Sequence, residues 1–398
     1  MRSIGNTTRM NVLARFRLFS CLAWSLAWIP LQYLFFTGAK AFSVSDFFAL
    51  NGLYYLTMCV FEVPTGVLAD RFGRKTTLAL GAFGFAAASF AVLQADTTFT
   101  AGLGMVALGI AHTLLNGADA AWLYDHLAER GLAAHYLREE SRAQWMRILG
   151  VSLSDLVGGA AAEWFGLQAA FHVAIVATFV AGVLACSLPE TPRPRGLGVR
   201  HVLGRSLSAV RGRELRWILA YATALFVLLR IAFHFYQPQM HAVGIERPLH
   251  YGATLCVLNL IAAPFARSAQ RIQARLGAKR LALLLVQAFA ASFLALAWVR
   301  NAWCIALFAL QQIPFGLMQP VVRGFTNRFA PPEARATILS LQSFCGRALF
   351  GLALFVVGAI VDDVGSLRPL YAVLGVVTVV LAIGLARTMP QIEDDPPN

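Results

Sequence analysis

The sequence predicts an all-α polytopic membrane protein with twelve transmembrane helices arranged as two six-helix bundles. Of the 398 residues, 58% are hydrophobic and only 13% are charged, and the mean hydropathy is +0.64. A soluble domain carries roughly 25% charged residues. Apolar runs of about 20 residues, the length that crosses a bilayer, recur along the chain, and basic residues collect in alternate loops.

Short polar breaks separate the apolar runs, and each run predicts one span. In order, the predicted spans are residues 17–37, 46–69, 76–95, 98–124, 144–166, 168–188, 214–238, 250–267, 281–299, 302–327, 337–361 and 368–387. The first run follows a basic N-terminal segment, but it is long, contains polar residues and has no small-residue cleavage site. We therefore interpret it as a span and not as a cleaved signal peptide.

The net charge of +13 reflects an uneven distribution of the 33 Lys and Arg residues. If the N-terminus is cytoplasmic, most of them fall on the inner side, and the outer side holds only Lys40, Arg247, Arg300 and Arg368. This asymmetry is the positive-inside rule with an even number of spans. The basic surplus therefore indicates a multi-pass membrane protein with both termini in the cytoplasm, and it argues against nucleic-acid binding.

The six cysteines occur singly in apolar segments and predict packing residues, neither disulfides nor metal ligands. We expect no metal and no cofactor. The sequence has no Walker loop, no HExxH and no G-x-S-x-G motif, which argues against an enzyme.

A polar stretch near the middle of the chain separates two sets of six spans. Its prolines, glycines and arginines oppose both a continuous helix and burial in lipid. Short loop motifs recur on either side of it: the run from Arg71 to Lys75 after span two resembles the run from Arg275 to Lys279 after span eight. Repeats of this kind predict two parallel bundles related by an axis along the membrane normal. The predicted units are an N-terminal bundle (1–188), a cytoplasmic linker (189–213) and a C-terminal bundle (214–398).

The loop after span two carries the clearest family signal. Its sequence, Gly66-Val-Leu-Ala-Asp70-Arg71-Phe-Gly73-Arg74-Lys75, resembles the signature between helices two and three of the major facilitator superfamily of transporters. Gly73 permits a tight turn, and Gly66 allows helix two to approach a neighbouring helix closely.

The resemblance implies a cytoplasmic gate. Asp70 would face the start of helix eleven, near residues 334–336, where the helix dipole favours an acid. Arg74 would pair with an acid at the cytoplasmic end of helix four, where Asp125 is available. The gate candidates, which would hold the two halves closed and release them during alternating access, are Gly66, Asp70, Arg71, Gly73, Arg74, Lys75 and Asp125. The alternative is that the basic residues only set the topology.

Polar side chains inside the spans are costly in lipid and therefore mark functional candidates. Helical spacing places them in stripes on helices one, four, seven and ten, the helices that line the central cavity of major facilitator proteins. The resemblance thus implies a substrate cavity lined by Trp24, Trp28, Gln32, His112, Asn116, Asp119, Arg230, His234, Gln237, Gln312, Gln319, Arg323 and Arg347. Packing between helices is the alternative for each of these residues.

Proton coupling requires a carboxylate or histidine whose pKa burial can move toward neutrality. Asp119 is our first candidate and Glu62 our second; His112 and Asp155 are the others. Each acid has an alternative role as a permanent partner in a structural ion pair.

Two departures from the family pattern concern the substrate. Drug/proton antiporters carry an arginine in helix four where this chain has Thr113, and their fifth helix contains a proline that is absent here. The run Pro189-Glu-Thr-Pro-Arg193 is similar to a sugar-porter signature, but the companion motifs are missing.

The sequence favours a monomeric secondary transporter that exports a small organic compound, a drug or a secreted metabolite such as a metallophore, in exchange for protons. Its expected partners are this small molecule, protons and the lipid bilayer, and the resemblance implies that this bilayer is the bacterial cytoplasmic (inner) membrane. One alternative is a proton-coupled uptake symporter for a small polar solute. Another, of a different class, is a receptor or scaffold that does not transport.

Overall fold

The computed structural model describes residues 2–191, 212–330 and 335–391, without the side chains of residues 2–11, 70, 336 and 337. All regular elements in these ranges are helical, and eleven of the helices are long and apolar enough to cross a membrane. The predicted all-α polytopic fold is therefore confirmed. Most of the predicted linker lies outside the described residues.

The helices follow the predicted spans in order. They are α1 (Arg2–Leu22), α2 (Val44–Phe72), α3 (Arg74–Leu93), α4 (Thr98–Leu115), α5 (Ala118–Ala128), α6 (Tyr136–Phe165), α7 (Gln168–Cys186), α8 (Arg213–Ala242), α9 (Pro248–Leu276), α10 (Ala278–Leu296), α11 (Cys304–Phe329), α12 (Arg335–Val364) and α13 (Arg368–Thr388). Residues Thr98–Ala128, which contain both α4 and α5, correspond to the fourth predicted span.

Local sequence explains several helix ends. Ser43 accepts a hydrogen bond from the Asp46 backbone N–H, and the Asp46 carboxylate accepts one from the Ser43 N–H, so this capping box starts α2. Thr97 and Thr100 start α4 in the same way. Between α2 and α3 the chain turns at one residue, Gly73, whose φ of +95° is accessible to glycine. The tight turn predicted at Gly73 is confirmed.

The first predicted span is not a continuous helix. α1 ends at Leu22, and the chain continues through a short 3-10 helix, Ile29–Leu31, and a π-helical turn, Leu34–Ala39. Pro30 lacks an N–H for the helical ladder, and the Ser25 hydroxyl donates to the Cys21 carbonyl 2.9 Å away. The prediction of an unbroken helix over 17–37 was wrong at this point.

Close packing against α6 accompanies the break. A Cβ on Gly150 would lie 1.9 Å from the Cys21 carbonyl oxygen, and a Cβ on Gly158 would lie 2.0 Å from the Ala27 carbonyl oxygen. The two glycines therefore let the backbone of residues 21–27 touch the backbone of α6. Small residues allow such contacts between membrane helices.

We expect the substitution Gly150→Ala to lower the stability of the folded protein. The added methyl group meets backbone, which cannot rotate away, and overpacking of this kind costs about 1–3 kcal/mol or more. Gly384→Ala is the matched control, because a Cβ there has no atom within 4 Å. The measurements are the monodisperse yield in detergent and the melting temperature; equal values for the two variants would contradict the packing argument.

The fourth predicted span is also interrupted. α4 ends at Leu115, and Gly117 has a φ of +85°, the left-handed region, before α5 begins. Asn116 and Gly117 are both exposed, and no atom lies within 4 Å of where a Cβ on Gly117 would stand. The polar stripe predicted on helix four therefore crosses a break, and Asp119 lies in the first turn of α5.

Contacts divide the chain into two compact units. The first comprises Met1–Gly196 together with Arg247–Cys256, and the second comprises Leu197–Glu246 and Val257–Asn398. The short segment Arg247–Cys256 groups with the first unit because its backbone packs closely against α6. A Cβ on Gly252 would lie 2.2 Å from the Asp155 carbonyl oxygen of α6. In addition, Arg247 Nε lies 2.7 Å from Glu163 Oε1, also on α6.

Candidate functional site

The α2–α3 turn brings a basic residue and an acid together. Arg74, the first residue of α3, places its Nε 2.5 Å from Asp125 Oδ2 near the end of α5, and the two side chains are 18% and 22% exposed. The contact is an ion pair without the alignment of a hydrogen bond. The pairing that the sequence suggested between these residues is present, while its role in gating stays a proposal.

A second acid lies over the same turn. Glu190 lies so close to Gly73 that a Cβ on this glycine would be 2.3 Å from Glu190 Oε1. The segment that carries Glu190 is held in place, because Trp122 Nε1 donates to the Pro189 carbonyl at 3.0 Å. Sequence reasoning noted this segment only as a partial sugar-porter signature and missed its contact with the α2–α3 turn.

The structure describes the surroundings of Gly66 and Arg71 but not the side chain of Asp70. Around Gly66 no atom lies within 4 Å of where a Cβ would stand, so the close helix approach expected there is absent among the described residues. Arg71 is exposed and lies over the ring of Phe72. The side chain of Asp70 and residues 331–334 lie outside the described part, so the predicted contact of Asp70 with helix eleven remains a prediction.

Polar and aromatic side chains from four segments meet inside the first unit. Tyr54 of α2 places its hydroxyl 2.6 Å from His112 Nδ1 of α4. The ring of Trp24, in the break after α1, packs edge-on against His112 with centroids 4.8 Å apart. Trp24 also lies under the guanidinium group of Arg147 of α6, 5.7 Å from the ring centroid.

The guanidinium group of Arg147 is in turn bonded to Asp119. Arg147 Nη2 donates to Asp119 Oδ2 at 2.6 Å, and the side chains are 22% and 7% exposed. Asp119 Oδ1 accepts from the Ala120 N–H at 2.7 Å. Asp119, our first proton-coupling candidate, is thus half of a largely buried ion pair in this conformation.

We call Trp24, Tyr54, His112, Asp119 and Arg147 the Arg147 cluster. All except Asp119 are partly exposed, and Asn116 and Gly117 at the neighbouring helix break are exposed. Irregular backbone at membrane depth occurs where protein or a water-filled cavity surrounds it. The cluster therefore combines a charged pair with aromatic side chains, and four of its five side chains are partly exposed.

The remaining candidates of the first unit have other surroundings. Trp28 is completely buried, stacks on Phe171 at 4.7 Å and donates to Ser89 Oγ at 3.1 Å. Gln32 is also buried. Asp155 is buried on α6, and Glu62 is partly exposed on α2. In this conformation Trp28 and Gln32 contact protein atoms in the core of the unit.

In the second unit, the polar candidates on α8, α11 and α12 differ in exposure. His234 Nδ1 lies 2.8 Å from the Arg230 carbonyl oxygen, and Gln312 Nε2 donates to the Tyr236 hydroxyl at 3.0 Å. Gln237 and Arg347 are buried, whereas Gln319 and Arg323 are exposed. Within the described residues no group of three or more His, Cys, Asp or Glu side chains is placed to hold a metal ion.

Sequence reasoning missed two members of the Arg147 cluster. Arg147 lies at the start of the fifth predicted span and was counted among the inner-side charges that set topology. Tyr54 lies within span two and carries no charge. A lone arginine inside the predicted span 144–166 was the available signal for Arg147, since charges at such positions are costly.

Comparison with known proteins identifies a family. The sequence model of the Major Facilitator Superfamily matches residues 16–354 and, in a second match, residues 251–398. The inner membrane transport protein YajR of Escherichia coli is 31% identical over 168 residues, which are 40% of this chain and 33% of YajR. The chain therefore matches about a third of the length of that relative.

Solved structures share the fold at low sequence identity. The nucleoside transporter NupG superimposes with a TM-score of 0.80 at 15% identity, over 96% of this chain and 100% of NupG. A D-xylose-proton symporter superimposes with a TM-score of 0.73 at 16% identity, over 96% of this chain and 98% of the symporter.

Proposed function

This chain belongs to the Major Facilitator Superfamily, and we propose on that premise that it is a secondary active transporter that works by alternating access in a bacterial inner membrane. We propose further that it exports a small organic compound in exchange for protons. The basic residues of the loops favour cytoplasmic termini.

The observation that carries the proposal is the Arg147 cluster. A charged pair, a histidine bonded to a tyrosine and a tryptophan lie together inside the first unit, next to two broken spans. In secondary transporters, substrates and coupling ions bind near the middle of the membrane, and broken helices are common at such sites. The Arg74–Asp125 ion pair at the α2–α3 turn supports a gate on the cytoplasmic side.

Proton exchange is supported by the chemistry of Asp119. Asp119 is a carboxylate that is 5% exposed and bonded to one arginine, and we propose that it exchanges the coupled proton when this pair opens. His112 offers a second proton-accepting group beside it, bonded to Tyr54. Glu62 and Asp155 remain further candidates.

Flux in vesicles tests the proposal and separates it from uptake. In inverted membrane vesicles energised to be acidic inside, we expect accumulation of a transported compound that collapses when the pH gradient is removed. In right-side-out vesicles the same compound should be extruded. Accumulation in energised right-side-out vesicles would instead establish the uptake symporter.

The third candidate, a receptor or scaffold, predicts no flux in either vesicle orientation for any compound that stabilises the purified protein. The compounds to test come from a thermal-shift screen of small organic molecules. A compound that binds and is moved rules out this candidate.

A further inference from the structure

Arg147 has hydrogen-bonding capacity that its protein contacts do not use. A guanidinium group has five N–H donors, and one of them, at Nη2, donates to Asp119. The Arg147 Nε is buried and has no hydrogen-bond partner. A buried donor without an acceptor is unfavourable, so an acceptor at this guanidinium group is favoured.

The orientation of the guanidinium group is set before any ligand arrives. Asp119 holds one end at 2.6 Å, and Trp24 lies under the guanidinium plane at 5.7 Å. Arginine fixed in this way presents a planar fork that matches the two oxygens of a carboxylate. Because the side chain is still 22% exposed, part of it is accessible to a small molecule.

Aromatic surface surrounds the charge. The rings of Trp24, His112 and Tyr54 form one contiguous group, with Phe85 of α3 packed 5.7 Å from Trp24. Contact with these aromatic rings adds little binding free energy for a hydrated inorganic anion. The apolar part of an organic molecule does gain binding free energy, because its surface is removed from water against the rings.

We propose that Arg147 binds the carboxylate of the transported compound, so that the substrate class is a small organic acid with an apolar body. This inference rests on the proposed function, which leaves the substrate class open. The guanidinium group forms a charge-assisted bond to the carboxylate through the donors that Asp119 leaves, and the ring group contacts the apolar body.

Binding of matched acids and amides to the purified full-length protein tests this assignment. The probes are benzoate and phenylacetate, each against its uncharged amide, benzamide and phenylacetamide, with the melting temperature as the readout. We expect both acids to raise the melting temperature in a saturable way and both amides to have no effect. Equal stabilisation by acids and amides, or none by either acid, would overturn the proposal.

Variants separate binding from a structural role. Removing Arg147 alone leaves a buried Asp119 uncompensated, which is destabilising in itself. The double substitution Arg147→Gln with Asp119→Asn removes both charges together. We expect it to weaken benzoate binding by about tenfold or more. Benzoate binding at the original strength in the double variant would refute the assignment.

Two further variants complete the series. Arg147→Lys retains the charge but loses the planar fork, so we expect benzoate affinity to fall several-fold; an unchanged affinity would count against the proposal even if the double variant does not fold. Arg142→Gln is the matched control on the same helix, because Arg142 pairs with Glu139 at 2.6 Å, outside the cluster, and binding should be unchanged.

The binding readout also separates this inference from the proposed function. If the acids do not bind but another compound shows gradient-driven flux in vesicles, the substrate class is wrong and the transporter stands. If the acids bind with the expected dependence on Arg147 and no flux occurs in either orientation, the binding site stands and transport fails.

Discussion

Asp119→Asn should abolish transport driven by a pH gradient and leave substrate binding and substrate exchange intact. The carboxylate is 5% exposed and bonded to Arg147, and we propose that it takes up the coupled proton when this pair opens. An amide still accepts a hydrogen bond from Arg147 but cannot take up the proton. We expect gradient-driven accumulation in proteoliposomes to fall to the level seen without a gradient, with counterflow exchange retained.

The control for this variant is Asp96→Asn. Asp96 is an acid with an 89% exposed side chain that pairs with Lys40 at 3.1 Å, and its neutralisation should leave gradient-driven transport unchanged. Full accumulation by the Asp119→Asn variant would remove Asp119 as the coupling residue. Glu62→Gln is then the next variant to assay, because a selective loss of coupling there would transfer the role to Glu62.

Arg74→Gln and Asp125→Asn should each cut transport by about tenfold or more without reducing the amount of protein in the membrane. Each substitution leaves the other partner of the 2.5 Å pair without its counter-charge. The closed state of the proposed cytoplasmic gate then loses a stabilising contact. Initial transport rates in vesicles, normalised to the amount of inserted protein, measure the effect.

A reversed pair tests whether the two residues act together. Arg74→Asp combined with Asp125→Arg restores opposite charges, and an acid at the first position of α3 is favourable for the helix dipole. We expect partial recovery of transport in this double variant compared with either single reversal. Lys279→Gln is the control in the second copy of the loop motif, where Ala274 and Ala278 replace the acid and the arginine. Normal transport by Arg74→Gln and by Asp125→Asn would contradict the gate and would favour the alternative that the loop charges only set the topology.

Several features followed directly from residue patterns. Long apolar runs predicted the spans from α2 to α13, since helices of this length and composition match the hydrocarbon thickness of a bilayer. The glycine at position 73 predicted the turn between α2 and α3 because the turn needs a positive φ. The family signature predicted the superfamily, which the comparisons confirm. Because the family and its structural relatives are membrane transporters, the prediction that the chain is not an enzyme is also confirmed.

The candidate site was only partly predictable. Trp24, His112 and Asp119 were identified from the polarity of the first and fourth spans, but helical spacing placed them on continuous faces. Breaks at residues 23–28 and at Gly117 change those faces. Arg147 was read as a topological charge, and the pair that it forms with Asp119 joins residues 28 positions apart in the chain.

The sequence by itself determined that this is a helical membrane protein of the Major Facilitator Superfamily with a tight loop turn at Gly73, because hydropathy, charge asymmetry and the position of a glycine are local properties. Only the tertiary structure decided where the first and fourth spans break and which charges meet. The reason is that both depend on packing between segments. The glycines of α6 admit the backbone of residues 21–27, and the same helix carries Arg147 to Asp119. No periodicity within a single span contains that information.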